Sequence, residues 1–192
     1  MRTRSGPQPG RSREDDRFDE LYVRCYRPVR DYCRRRVAAD VVDDAVAEVF
    51  LTAWRRLDTV PDGDAALAWL YAVAYRVVGH QWRSTNRQNR LKVRIGAVSE
   101  RPESTADEWV VDPDESRLVL EAVACLGDTD AEVLLLQAWE HLAVVEIAAV
   151  VGISPNAVSQ RIHRARRNLG REYRRLQSEQ VPTPRATEEG EQ

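Results

Sequence analysis

Apolar positions recur at three- and four-residue steps through most of this chain, and nowhere do they alternate as a half-buried strand requires. That spacing predicts helices. Val46, Val49, Phe50, Ala53, Trp54 and Leu57 fall on one face of a helix expected to start near Asp40, a good N-cap. Asp43 and Asp44 would sit in its first turn, where the helix dipole favours acids. Asp44, Glu48 and Arg55 lie off the apolar face. The run from Thr59 to Asp64, with Pro61 and Gly63, interrupts the pattern. Leu67, Leu70, Tyr71, Ala74, Val78 and Trp82 then predict a third helix. Residues 1–13 and 178–192 lack apolar periodicity and read as disordered tails. The expected organisation is all-α: two small helical domains at 14–90 and 113–177, tethered by a linker at 91–112.

Charge changes the picture. The net charge of -2 on 192 residues is unremarkable, but its distribution is not. From Ala65 to Ser99 there is no acidic residue, while Arg76, Arg83, Arg87, Arg90, Lys92 and Arg94 are basic. The next stretch turns acidic, from Glu100 to Glu115, and the C-terminal helix turns basic again, from Arg161 to Arg175. Two basic surfaces separated by an acidic connector suit a protein that grips a polyanion at two places, with nucleic acid the first candidate.

Other classes are disfavoured. No apolar run approaches the about 20 residues that span a bilayer, and no apolar signal core follows the basic Met1–Arg13 stretch. A cytoplasmic protein without membrane insertion is expected. Cys25, Cys33 and Cys125 form no CxxC pair, so neither a disulfide framework nor a zinc site is indicated. His80, His141 and His163 have no metal-ligand spacing, and no phosphate-cradling glycine loop or nucleophile–base pattern occurs. No catalysis, metal or cofactor is expected.

Arg76, His80, Arg83, Arg87 and Arg90 are spaced four, three, four and three apart, which lines them along one helix face. Tyr75 and Trp82 lie beside that line, with Trp69 before it. Cations interleaved with aromatic rings suit single-stranded nucleic acid, the charges holding phosphates while the rings stack on bases. A solvated face over core aromatics is the alternative, disfavoured by the lack of compensating acids.

The most specific local signal runs from Glu146 to Val158. Ala148 is small where two helices must cross, Gly152 supplies a turn, Ser154 caps the next helix and Pro155 fits its first position. Val158, Ile162, Ala165 and Leu169 would be buried. Asn156, Ser159, Gln160, His163 and Arg164 would face base edges in a major groove, with Arg161, Arg166 and Arg167 placed for phosphates. This is a helix-turn-helix.

With both blocks read, the chain resembles the extracytoplasmic-function (ECF) group of the sigma-70 family of bacterial RNA polymerase sigma factors, from about Arg17 to Tyr173. The resemblance rests on Val42–Trp54 (an acidic-apolar helix), on Trp69-Leu70-Tyr71-Ala72-Val73-Ala74-Tyr75-Arg76 through Arg83, and on Glu146-Ile147-Ala148, Gly152-Ile153-Ser154 and Val158 to Arg166. It implies that the first domain is sigma region 2 and the second sigma region 4. By position it implies that Asp43, Asp44, Glu48 and Phe50 dock on the clamp helices of core RNA polymerase. Asp62, Trp69, Tyr75, Arg76, His80, Arg83 and Arg87 would handle the −10 element, the turn Thr59–Asp64 holding a flipped base. Asn156, Ser159, Gln160, Arg161, His163, Arg164 and Arg167 would read the −35 element as duplex. The acidic linker would thread the polymerase RNA path, and an anti-sigma protein is a partner class the group commonly has.

Three departures stand out. Ala47 replaces a usual Gln, and Arg76 and His80 replace a frequent Asn and Asp. His141 and Ala143 stand where Gly and a Ser or Thr cap are common, at a cost of about 1 kcal/mol in capping. The rival reading is a polymerase-independent helix-turn-helix regulator that binds operators as a dimer. It explains Glu146–Arg167 but gives the Asp44/Glu48 helix no task.

Overall fold

The computed structural model describes residues 13–94 and 113–180. Among the described residues there is no strand. The N-terminal unit contains α1 (Arg13–Arg34), α2 (Val42–Arg55) and α3 (Ala65–Arg94). The C-terminal unit contains α4 (Pro113–Ala124), α5 (Asp128–Ala138), α6 (Val144–Val151) and α7 (Pro155–Gln180). Helix α3 runs to Arg94, four residues into the expected linker, and the acidic part of that linker lies outside the described residues.

Helix α1 opens on Glu14, Asp15 and Asp16 and closes on Arg34, charges that oppose its dipole at both ends. Leu21, Cys25, Val29, Tyr32 and Cys33 are its buried side chains. Pro28 removes one backbone donor from the helix interior, a cost offset by the core packing of Cys25 and Val29 on either side. Helix α2 starts one residue later than expected. Asp40 lies inside a single 3₁₀ turn, Ala39–Val41, and the N-cap position of α2 is Val41, which has no side chain able to cap. Asp43 and Asp44 do occupy its first turn.

Helix α3 departs from a simple amphipathic pattern. Five consecutive residues, Leu70 to Ala74, are all buried, so the helix is covered on every side there. Helices α1 and α2 cover one side and α6 covers another. The small residues Ala72 and Ala74 allow backbones to approach. Helix α6 is apolar at nearly every position for the same reason, being held between α3 and α7. One hydrophobic core therefore runs through both units, joining Leu70, Tyr71 and Val78 to Val133, Leu136, Ile147, Val150 and Val158. Smaller clusters of α4, α5 and α7 complete the C-terminal unit, around Leu126 and Leu135 and around Leu118 and Leu176. Two domains are present as expected. Their direct packing is a feature that a tethered pair does not suggest.

A buried ion network fastens that junction. Arg36, just past α1, is 2% exposed and Glu132 of α5 is 1% exposed. The Arg36 Nε donates to both Glu132 carboxylate oxygens at 3.2 and 3.3 Å, and its Nη1 donates to Glu140 Oε1 at 3.1 Å. The Tyr32 hydroxyl donates to Glu132 Oε1 at 3.0 Å, and Arg35 Nη2 donates to Glu140 Oε2 at 2.6 Å. The Arg36 guanidinium also lies 3.6 Å from the Tyr32 ring centre. Burial works against its charge, but Glu132, Tyr32 and Glu140 outweigh burial and raise its pKa above the ordinary arginine value. Burial likewise pushes the neighbouring Cys33 thiol up to about 11, against the opposing pull of Arg36. None of the three cysteines forms a disulfide.

Candidate nucleic-acid interfaces

The helix-turn-helix forms from the residues that announce it. Helix α6 ends at Gly152, whose φ of 77° is left-handed and favours glycine. The amides of Gly152 and Ile153 both donate to the Ala148 carbonyl, at 2.9 and 3.2 Å, closing the turn. Ser154 Oγ accepts the Ala157 amide at 3.2 Å, capping α7, and Pro155 occupies the first helical position. The start of α6 is weaker. Ala143 has no side-chain acceptor, so only half a capping box exists: Glu146 accepts the Ala143 amide at 2.7 Å. His141 is left-handed with φ 54°, the conformation that makes glycine common there.

On α7 the two faces separate as expected. Val158, Ile162 and Ala165 are buried, and Leu169 is half-buried. Asn156, Ser159, Gln160, His163, Arg164, Arg166 and Arg167 are exposed, while Arg161 is half-buried. Three of the arginines are engaged, two of them by one carboxylate. Asp130, in the first turn of α5, accepts Arg161 Nη1 at 2.6 Å and both Nε and Nη2 of Arg164 at 2.9 and 3.0 Å. Burial alone would raise the Asp130 pKa, but the hydrogen bonds and charges of Arg164 and Arg161 outweigh it and hold the carboxyl below its ordinary value. Arg166 reaches Gln137 at 2.9 Å, a second tie between α7 and α5.

At the α2–α3 turn, Arg17 of α1 donates to the Leu57 and Val60 carbonyls at 2.6 and 2.7 Å and to Asp62 Oδ1 at 2.9 Å. Arg24 donates to the carbonyl of Gly63, which has φ 65°, at 2.8 Å. The braced turn borders a cleft of about 200 Å³ lined by Arg17, Leu21, Arg24, Leu57, Val60 and Asp62, among others. The aromatic-basic stripe is only partly presented. Trp69 and Tyr75 are half-buried and pack against the core, which leaves Arg76 exposed beside them. His80, Arg83 and Arg87 follow on the same helix backbone, but their side chains, like that of Trp82, lie outside the described residues.

The α2 surface rearranges the expected docking residues. Asp44 and Glu48 are exposed, and Asp43 is exposed 3.6 Å from Arg30. Phe50 is 4% exposed, its ring 4.7 Å from that of Tyr22 and also against Phe18 and Tyr26. It therefore lies beneath the exposed α2 surface, not on it. Trp54, expected in the core, is instead 44% exposed, with its ring edge-on to Phe18 at 5.0 Å. Leu51 and Tyr22 are exposed beside it. An acidic-apolar patch of Asp44, Glu48, Leu51, Trp54 and Tyr22 results. Leu51 could have been found from its spacing, seven residues after Asp44 and three after Glu48.

Among the described residues, no group of three His, Cys, Asp or Glu is placed to hold a metal ion, and no helix is long and apolar enough to cross a membrane. A helix-turn-helix with an exposed polar and basic face, packed on a three-helix unit, defines a two-part helical protein of the DNA-binding class. Comparison with known proteins sharpens that class. Residues 21–88 match the family "Sigma-70 region 2" and residues 116–169 match "Sigma-70, region 4". A probable RNA polymerase sigma factor, RfaY, of Xanthomonas campestris pv. campestris is 30% identical over 72% of this chain. The chain spans only 35% of that relative's length. The RNA polymerase sigma-E factor of Streptomyces coelicolor is 26% identical over 80% of this chain and 84% of its own. The ECF RNA polymerase sigma factor SigK of Mycobacterium bovis is 27% identical over 66% of this chain and 69% of its own. Among solved structures, the sigma factor RpoE, in complex with the anti-sigma factor NepR from Bartonella quintana, shares the fold. Its TM-score is 0.60 at 19% identity, over 82% of this chain and 96% of its own. CnrH, in complex with the cytosolic domain of CnrY, gives 0.55 at 26% identity, over 85% and 89%. The chain belongs to the sigma-70 family of RNA polymerase sigma factors, in its ECF group. Its role is transcription initiation, and the polymerase-independent regulator is not favoured.

Proposed function

We propose that this chain acts by binding rather than catalysis, alongside core RNA polymerase in the cytoplasm, and that three surfaces divide the work. The acidic-apolar patch of α2 docks on the polymerase clamp helices, with Asp44 and Glu48 supplying charge and Leu51 and Trp54 apolar contact. The exposed face of α7 reads the −35 duplex through Asn156, Ser159, Gln160 and His163, with Arg167 on phosphate. The α2–α3 turn and its cleft take a flipped −10 base, and the basic line from Arg76 to Arg87 tracks the unpaired strand. Capture of unstacked bases offsets an unstacking cost of a few kcal/mol per step. An anti-sigma protein is a further partner class, one with which the two solved neighbours are complexed.

The observation that carries this reading is the exposed α2 patch, because an operator-binding regulator has no use for it. Affinity of the chain for purified core RNA polymerase tests the docking surface. Asp44→Arg with Glu48→Arg is expected to weaken binding at least tenfold without lowering helicity. Unchanged binding would remove α2 from the interface.

A further inference from the structure

Asp130 lies off the expected reading face, yet it touches two of the arginines assigned to it. Its carboxylate is nearly buried, at 12% side-chain exposure, while Arg164 is 47% exposed. One end of this pair is fixed and the other faces solvent. The contact to Arg164 is bidentate through Nε and Nη2, which fixes the guanidinium plane and leaves the Nη1 edge outside that pairing. The same carboxylate accepts Nη1 of Arg161, one turn earlier. Its place in the first turn of α5 gives the negative charge added support from the helix dipole.

We propose that Asp130 is a positioning residue for −35 recognition: it presets Arg164 and Arg161 for the groove and restrains their contact with phosphate. This rests on the reading of α7 as the −35 helix. A free arginine loses much rotamer freedom when it docks, and one already held in a fork loses less. Its remaining donors are then offered in one direction, which favours discrimination between sequences. The carboxylate also cancels positive charge close to the DNA backbone, which lowers sequence-independent affinity. Removal of Asp130 therefore moves the two quantities in opposite directions. A merely structural role would lower both together.

The test uses holoenzyme assembled from core RNA polymerase and the full chain. Wild-type holoenzyme first selects a −35 sequence from a randomised duplex library. Affinity for the selected and a scrambled −35 is then measured over a range of salt. Asp130→Asn is expected to reduce discrimination about tenfold, to strengthen binding to the scrambled duplex, and to steepen the log–log salt slope by about one to two. Asp130→Glu keeps the charge but displaces the carboxylate by a methylene, so it should hold the wild-type slope and still lose discrimination. Unchanged discrimination in Asp130→Asn overturns the proposal, as does an equal fall in affinity for both duplexes. If wild-type holoenzyme selects no −35 sequence, the reading of α7 itself fails and the proposal falls with it.

Discussion

Arg36 and Arg164 are both held by a carboxylate from α5, yet their surroundings are opposite. Arg36 is sealed with Glu132 and Glu140 between the two units, whereas Arg164 stands half in water on Asp130. The first pair has no access to a ligand and serves only to join α1 to α5. The second keeps its charge at the surface where DNA would lie. Depth decides what a charge pair can do. Buried charges need every partner present, because desolvation is tolerable only when each lone pair and proton is matched. Surface charges tolerate loss of a partner and remain available for work.

The largest expected effect comes from breaking the buried member. Arg36→Met leaves Glu132 and part of Glu140 uncompensated, and should cost about 3–5 kcal/mol of stability in urea unfolding. Adding Glu132→Met removes the stranded charge and should recover much of that loss. If the double variant is no more stable than the single one, the network is not the reason for the first result. The corresponding loss for Asp130→Asn should be only about 1 kcal/mol, since its arginines stay partly solvated.

Acid sharpens the contrast further. The Asp130 carboxyl titrates lower in the folded chain than in the unfolded one. Its pairs therefore contribute stability above the ordinary aspartate pKa of about 3.9 and lose it as the pH falls through the lower folded value. Thermal unfolding of wild type and Asp130→Asn should show a constant gap between pH 7 and 5, closing below about pH 4. A gap that closed near neutrality would place its origin in another group. The smallest effect concerns the incomplete cap of α6. Ala143→Ser supplies the missing acceptor and should raise stability by about 1 kcal/mol, measured by the same unfolding.

Much of this was legible in the chain because local chemistry decided it. Gly152, Ser154 and Pro155 form a turn, a cap and a helix start wherever they stand in that order, and the structure uses each in that role. The exposed and buried faces of α7 follow from three- and four-residue spacing. Contacts distant in sequence were not legible. Arg36 and Glu132 are 96 residues apart, and nothing in Asp128–Ala138 distinguishes the buried Glu132 from its half-buried acidic neighbour Asp128 by pattern. Burial of α3 on every side depends on α6, so its apolar face could be found but its second contact could not. Phe50 and Trp54 illustrate the same limit: four residues apart on one helix, they differ because Tyr22 and Tyr26 of α1 close over the former, while Trp54 meets Phe18 edge-on. Asp40 looked like a cap, but the chain spends it in a 3₁₀ turn.

The central claim is that the α2 patch and the α7 reading face belong to one initiation factor. Run-off transcription from a promoter library, with core RNA polymerase and the chain added or withheld, tests it most directly. Transcripts that need the chain, share a two-element motif, and vanish with Asp44→Arg or Glu48→Arg are the expected result. Sequence-specific DNA binding by the chain alone, with no polymerase-dependent transcript, would contradict it.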